Sequence, residues 1–444
     1  MSYWKIAWRN MQQRSLASSL TGLAMALGVA LMVLVLVIHE VVVSQLSNDA
    51  QGYNFIVGGK GSPYEIVLTT VFHVGRPLYP IPYSYYRKFT DGEFAEYVDV
   101  AVPVCLGDSY VTDDGQRFRV VGTTPDMFDE LAYGAEEDGT EKYYKFSEGR
   151  NFKQENFFEA VIGSVAANRT GLKVGDTFMP THGIEGGDAH ADRFEIVGVL
   201  APTGTANDRA MFVNAEGFYL LEGHARAPKE GAAPVAYAPG SRTGSAENHG
   251  HAPLPEEQRE VTSILVRCPA DQFMAPMALE MAVNKGDDLT GQAVAPVNVV
   301  ERLQESFIGP MRMLLLVLTV LIIVVAGISI LVSIYNSMSE RSHDIAVMRA
   351  LGASRTAVMV VILVESILLS LLGGLAGLLL GHGVLAAASP LVEYYTGITV
   401  RAWHFSWQEM LLVPGLVAFA ALVGFLPALS AYRTDVAKTL GGGR

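Results

Sequence analysis

Four long apolar stretches, at 16–43, 314–334, 358–385 and 410–431, constrain this chain more than anything else in it. Each supplies the roughly 20 residues needed to cross a hydrocarbon core. Backbone groups find no water there, so each stretch is expected to close its own hydrogen bonds as a helix. The first runs 28 residues, about 42 Å as a helix, against a core of about 30 Å. His39 and Glu40 lie near its far end, so it is expected to project beyond the bilayer. That length far exceeds the apolar part of a signal peptide, which predicts a retained span.

Basic residues beside the spans set the expected orientation. Lys5, Arg9 and Arg14 precede the first, Arg341, Arg349 and Arg355 separate the second and third, and Arg433, Lys438 and Arg444 follow the fourth. All three groups are therefore placed inside, with 45–308 and the short 386–409 loop outside. Charge divides the same way: 45–308 holds 21 Lys and Arg against 38 Asp and Glu, while the rest holds 11 against 7. A domain this acidic argues against binding nucleic acid or an anionic membrane surface.

The expected organisation is an inner amphipathic helix over 1–15 and a first span over 16–44 that extends into a stalk. An extracytoplasmic domain over 45–308 follows, then spans at 309–335, 357–385 and 410–432 with a coupling loop over 336–356 and a tail over 433–444. In the first segment Trp4, Ala7, Trp8 and Met11 share one helical face. The outer domain carries β-branched runs at 97–105, 117–123, 159–165, 193–200 and 262–267, with helical patches between them, which predicts an α+β domain. Residues 223–258 turn to Gly, Pro, His and acid without periodicity and are expected to be a flexible insertion. Val300, Leu303 and Phe307 predict a helix running into the second span, kinked at Pro310.

Chemistry-bearing motifs are few. Residues 58–62 (GGKGS) resemble a P-loop, yet Asn54 stands where its first glycine belongs and Gly61 follows Lys60 where Ser or Thr is required. A glycine-rich turn is the expectation. Gly373, Gly377 and Gly381 recur every four residues in the third span, a small-residue face for close helix packing. Glu365 lies about two turns into that span, where a carboxylate is costly; a structural hydrogen bond is expected. His182, His190, His224, His249 and His251 fall within one 70-residue stretch. His249 and His251 are weak zinc candidates, and solvated loop histidines are the alternative. Cys105 and Cys268 both fall in the outer domain, as a disulfide or as two buried thiols. No G-x-S-x-G frame or zinc-protease motif marks a catalytic centre.

The polar segment 336–355 (NSMSERSHDIAVMRALGASR) sits between two spans, with Ile345, Met348 and Leu351 on one helical face and charges elsewhere. It resembles the coupling helix of ABC-transporter permeases of the MacB, LolC/LolE and FtsX type, in its Glu340-Arg341, Asp344-Ile345, Arg349-to-Ala353 and Arg355 elements. Residues 6–30, 148–200 and 424–440 resemble that family's opening helix and span, its outer-domain motif and its closing signature. The 60–73 segment departs from the drug-efflux members. The resemblance implies a non-catalytic membrane subunit of the bacterial inner membrane, with both termini cytoplasmic. It implies a cytoplasmic ATPase that binds ATP and magnesium on the chain's behalf, no cofactor on this chain, a second permease copy or paralogue, and a possible periplasmic partner. Glu340, Arg341, Asp344, Ile345, Met348, Arg349 and Leu351 would dock the ATPase, and motion rather than cargo would cross the bilayer. A zinc-handling system and a scaffold for a cell-wall hydrolase are the alternatives.

Overall fold

The computed structural model describes residues 3–77, 79–136, 138–183, 187–226, 252–340, 346, 349–350, 352–396, 400, 403, 405 and 407–433. The chain divides into two compact units, one of Met1–Val41, Ser306–Pro390 and Val400–Arg444, the other of Val42–Glu305 and Leu391–Thr399.

The first unit is helical. Its described helices include α1 (Tyr3–Gln13), α2 (Ser15–Asp49, which runs on into the second unit), α3 (Gly309–Glu340), α4 (Arg355–Thr396) and α5 (Leu412–Arg433). Among the described residues, four helices are long and apolar enough to cross a membrane: Ser15–Asp49, Pro296–Asn336, Arg355–Thr396 and Trp407–Ser430. Met25, Val29, Ile330, Ile362, Leu369 and Leu416 form their shared core. The outward faces are also apolar, with Leu314, Leu318, Leu321, Val325 and Ile328 of α3 exposed, as expected of helices whose solvent is lipid. In α1 the apolar face divides. Ala7 and Met11 are buried, whereas Trp4 and Trp8 stay exposed.

The helix expected ahead of the second span is present, but its irregularity lies elsewhere. Pro296–Leu303 passes through a π turn at Gln304–Ile308 before α3 begins. Pro310 has no N–H to donate back into the preceding turn, and the widened turn lies just upstream of it. The boundary between the two units falls inside this π turn, between Glu305 and Ser306.

The second unit is a mixed α/β domain. Among the described residues its main sheet holds eleven strands. They include β1 (Phe55–Gly59), β2 (Val100–Val111), β3 (Arg117–Thr123), β4 (Phe146–Gly149), β5 (Glu159–Ile162), β6 (Phe194–Leu200), β7 (Ala210–Asn214), β8 (Ser263–Arg267) and β9 (Gly291–Val294). The order across the sheet is β9-β1-β8-β2-β3-β7-β5-β6-β4. The β3–β7 and β5–β6 pairs are parallel, and the other pairs along this path are antiparallel.

Both faces of the sheet are buried, and side chains alternate between two cores. Phe55, Val57, Val120, Ala160, Ile162, Met211, Val213, Ile264 and Val266 point into one. Ile56, Val121, Val161, Phe212 and Leu265 point into the other. Helices Tyr83–Thr90, Ala215–Tyr219 and Ala275–Lys285 cover the first face through Tyr85, Phe89, Phe218, Leu279 and Val283. Helices Pro63–Thr70 and Pro296–Leu303 cover the second through Ile66, Val67, Val299 and Val300. A buried side chain the size of Phe212 contributes about 1.5–3 kcal/mol. Cys105 and Cys268 are free thiols within the first core. Burial pushes them up to about 12 and about 11, which leaves both inert at neutral pH.

The GGKGS segment differs from expectation. Gly58 and Gly59 are strand residues of β1, Gly58 paired to Ser263 of β8 and Gln292 of β9, and Gly59 to Gly291 of β9. A Cβ on Gly59 would stand 2.5 Å from the Tyr79 carbonyl oxygen, so glycine here admits a crossing segment. The run Pro63–Thr70 then starts a helix with Ser62 at its N-cap position and proline in its first turn.

Candidate functional site

Three constellations stand out: the segment between α3 and α4, the small-residue face of α4, and a histidine cluster in the α/β domain. In the first, α3 ends at Glu340 and α4 begins at Arg355. Ala346, Arg349 and Ala350 are helical, Ala346 is buried and Arg349 half-buried. Gly352 adopts φ +101° and its N–H bonds the Arg349 carbonyl at 3.1 Å, an ending that glycine makes without strain. Two residues on, Ser354 Oγ accepts the Ala357 N–H at 3.1 Å and so caps α4. Gly352 to Ser354 thus form a helix stop followed by a helix start. The side chain of Glu340 and residues Arg341, Asp344, Ile345, Met348 and Leu351 lie outside the described residues.

Gly373, Gly377 and Gly381 form one seam against α2. A Cβ on Gly373 would stand 2.9 Å from the Gly22 carbonyl oxygen, one on Gly377 2.6 Å from that of Ala26, and one on Gly381 2.9 Å from Val33 Cβ. Glu365 accepts from Asn10 Nδ2 at 3.5 Å. Sequence reasoning passed over a second polar pair, buried within the helical unit. His382 Nε2 lies 2.8 Å from Glu409 Oε2, both side chains are buried, Trp403 stacks on the imidazole and Phe405 packs against it at a tilt.

In the α/β domain, His182, His190 and His224 surround Asp108, and their ligand-capable atoms all lie within 4.8 Å of one another. Asp108 follows an irregularity in β2, where the register against β3 shifts between Leu106 and Asp108. The short strand Thr181–His182 pairs with β2 so that His182 stands opposite Asp108. Gly183, at φ +81°, bonds back to the Gly107 carbonyl at 2.9 Å, and His190 N–H to that of Pro180 at 2.9 Å. This hairpin returns His190 to the same spot. His224 comes from the turn after Ala215–Tyr219, where Gly223 has φ +85° and the Phe218 ring packs edge-on at 4.4 Å. Burial raises the Asp108 carboxyl, but the imidazoles of His190 and His224 outweigh it and hold the group at about 2.

The histidines singled out from sequence, His249 and His251, lie outside the described residues. The signal that would have found this cluster is the glycine-rich hairpin between His182 and His190, opposite an acid on a neighbouring strand.

The family model of the MacB-like periplasmic core domain matches residues 18–249, just over half of the chain. That of the FtsX-like permease C-terminal region matches residues 316–436. This chain belongs to the MacB/FtsX-like permease family. Its second match takes in α3, the charged segment, α4 and α5.

Among the relatives of this permease, an uncharacterized ABC transporter permease of Methanocaldococcus jannaschii is 34% identical over 137 residues, 28% of this chain and 33% of that protein. The uncharacterized ABC transporter permease YknZ of Bacillus subtilis is 34% identical over 135 residues, covering 28% and 32%. The macrolide export ATP-binding/permease protein MacB of Photorhabdus laumondii is 27% identical over 147 residues, covering 32% and 22%. The matched stretches span a third or less of each of these relatives. Among solved structures, the extracellular domain of YknZ aligns over 54% of this chain and 99% of its own, at 12% identity and a TM-score of 0.30.

Proposed function

We propose that this permease is the transmembrane subunit of an ABC system of the bacterial inner membrane, and that a separate cytoplasmic ATPase supplies its energy. The FtsX-like match that brackets residues 336–355 carries this reading. Both termini and this segment face the cytoplasm, and the α/β domain faces out. ATP and magnesium are held by the ATPase, and this subunit catalyses nothing itself. The permease works beside a second copy or paralogue, with room for a periplasmic partner.

In this scheme Ile345, Met348 and Leu351 fill an apolar groove on the ATPase, while Glu340, Arg341, Asp344 and Arg349 fix its orientation. Closure of the ATPases pushes this segment, and the spans pass the displacement outward. The spans carry few polar side chains, which favours transmission of movement over passage of a hydrophilic cargo. The resulting motion of the outer domain acts on lipid-linked or periplasmic cargo.

The test is Met348→Glu, which places a charge in the apolar contact. Co-purification of the ATPase should be lost while membrane insertion and yield stay unchanged. Undiminished co-purification would overturn the docking assignment.

A further inference from the structure

We propose that Asp108, His182, His190 and His224 form a four-coordinate site for Zn²⁺ in the α/β domain, a property separate from ATPase coupling. Zinc bound tetrahedrally at about 2.0–2.1 Å from nitrogen and oxygen ligands sets neighbouring ligand atoms about 3.3 Å apart. Here His190 Nε2 lies 3.1 Å and His224 Nε2 3.2 Å from Asp108 Oδ2, and His182 Nδ1 lies 3.6 Å from Oδ1. The three imidazoles are 5.1–5.6 Å apart, centre to centre, and turned 72–78° from one another. Rings fanned in this way direct their nitrogens to a common point without stacking.

Hydrogen bonding does not account for the cluster. Both Asp108 carboxylate oxygens, His190 Nε2 and His224 Nε2 are buried, and among the described residues none finds a hydrogen-bond partner outside the cluster; within it the atoms approach to 3.1–3.6 Å without good hydrogen-bond geometry. Buried polar atoms left this way cost about 1–3 kcal/mol each, and four converging on one point call for a cation. Three imidazoles and one carboxylate are a donor set for Zn²⁺; Ca²⁺ and Mg²⁺ demand oxygen. The Asp108 side chain is fully buried and those of His190 and His224 are 4% and 6% exposed, whereas that of His182 is 58% exposed. Metal therefore enters from the His182 side.

Four protein ligands leave no open position for substrate, which makes this a structural or metal-responsive site and not a hydrolytic one. It fastens three separate segments: β2 at its irregularity, the 181–190 hairpin, and the turn that ends helix Ala215–Tyr219.

The experiment uses the full-length chain purified in detergent, stripped with chelator and titrated with Zn²⁺ against a chromophoric competitor. One Zn²⁺ per chain should bind with submicromolar affinity. Loss of an outer-sphere partner alone weakens metal sites by up to about 100-fold, so His190→Ala and His224→Ala should lose at least that. His182→Ala, altered at the exposed ligand, retains the fold and should also weaken binding. His249→Ala/His251→Ala should leave the site unchanged. Co²⁺ should give the intense visible bands of tetrahedral coordination in the parent chain and not in His190→Ala. Absence of stoichiometric Zn²⁺ binding by the folded parent, or undiminished affinity in both His182→Ala and His190→Ala, would overturn the proposal.

Discussion

Arg150 grips Glu159 with both terminal guanidinium nitrogens, at 2.9 Å and 2.5 Å, and the Glu159 side chain is fully buried. Lys153 N–H and Asn156 Nδ2 donate to the same carboxylate at 3.0 and 2.9 Å. Burial raises the Glu159 carboxyl, yet Arg150 and these donors prevail and hold it below its ordinary value. Removing Arg150 leaves a buried carboxylate short of charge compensation. Full burial of such a pair would make that cost about 3–5 kcal/mol. The Arg150 side chain is 45% exposed, so Arg150→Ala is expected to cost about 2 kcal/mol after allowance for screening. Denaturant unfolding of the purified chain at pH 7 measures it. The loss should shrink as pH falls through the depressed Glu159 value, because protonation removes the charge that Arg150 serves.

This pair explains why the 148–200 stretch reads as a motif. Gly149 sits at φ +73°, and a Cβ there would stand 2.1 Å from the Val197 carbonyl oxygen. Phe152 is buried and Asn151 Nδ2 donates to the Pro125 carbonyl at 3.0 Å. The Glu-Gly-Arg-Asn-Phe run ends the edge strand β4 at Gly149 and leads the chain off the sheet through Arg150 to Phe152.

His73 gives the domain a pH dependence. It sits at φ +58° with Nε2 3.0 Å from Asn207 Oδ1. Burial pushes the imidazole down to about 4, against the Asn207 hydrogen bond and with help from Arg119 and Arg209. The folded group stays neutral where the unfolded one, near 6.5, takes a proton. Its contribution is therefore present above pH 6.5 and is lost as pH falls toward 4, amounting to about 2 kcal/mol at pH 5. His73→Asn, which tolerates positive φ, should flatten the stability profile between pH 7 and 5. An unchanged slope would show that His73 does not titrate as described.

Parts of the fold were legible because their physics is local. The β-branched runs at 117–123, 193–200 and 262–267 correspond to β3, β6 and β8, and the apolar stretches to the long helices. Other parts depend on distant partners. β1 hides behind Gly58 and Gly59, and at Gly59 the lack of a side chain reflects the crossing segment at Tyr79. The pairing of His182 with Asp108 depends on a strand register set 74 residues apart in the chain. His382 and Glu409 likewise meet only in the folded bundle. Periodicity reports which face is buried, and it is silent on which polar groups will share it.

The seam between α2 and α4 depends on contact closer than side chains allow. With a Cβ added, Gly377 would stand 2.6 Å from both the Ala26 carbonyl oxygen and Val29 Cβ. Overpacking of this kind costs about 1–3 kcal/mol. Gly377→Val should therefore lower the thermal stability of the detergent-purified chain, whereas Gly383→Ala, with nothing within 4 Å of its Cβ, should leave it unchanged. Equal effects of the two substitutions would contradict the seam.

The account rests on the charged segment and the α/β domain lying on opposite sides of one bilayer. The decisive measurement is labelling of Ser342→Cys and Asp113→Cys by a membrane-impermeant maleimide in spheroplasts, with the native Cys105 and Cys268 buried. Asp113→Cys should label in intact spheroplasts and Ser342→Cys only after permeabilisation. Labelling of both in intact spheroplasts would leave a cytoplasmic ATPase nothing to push and would contradict the account.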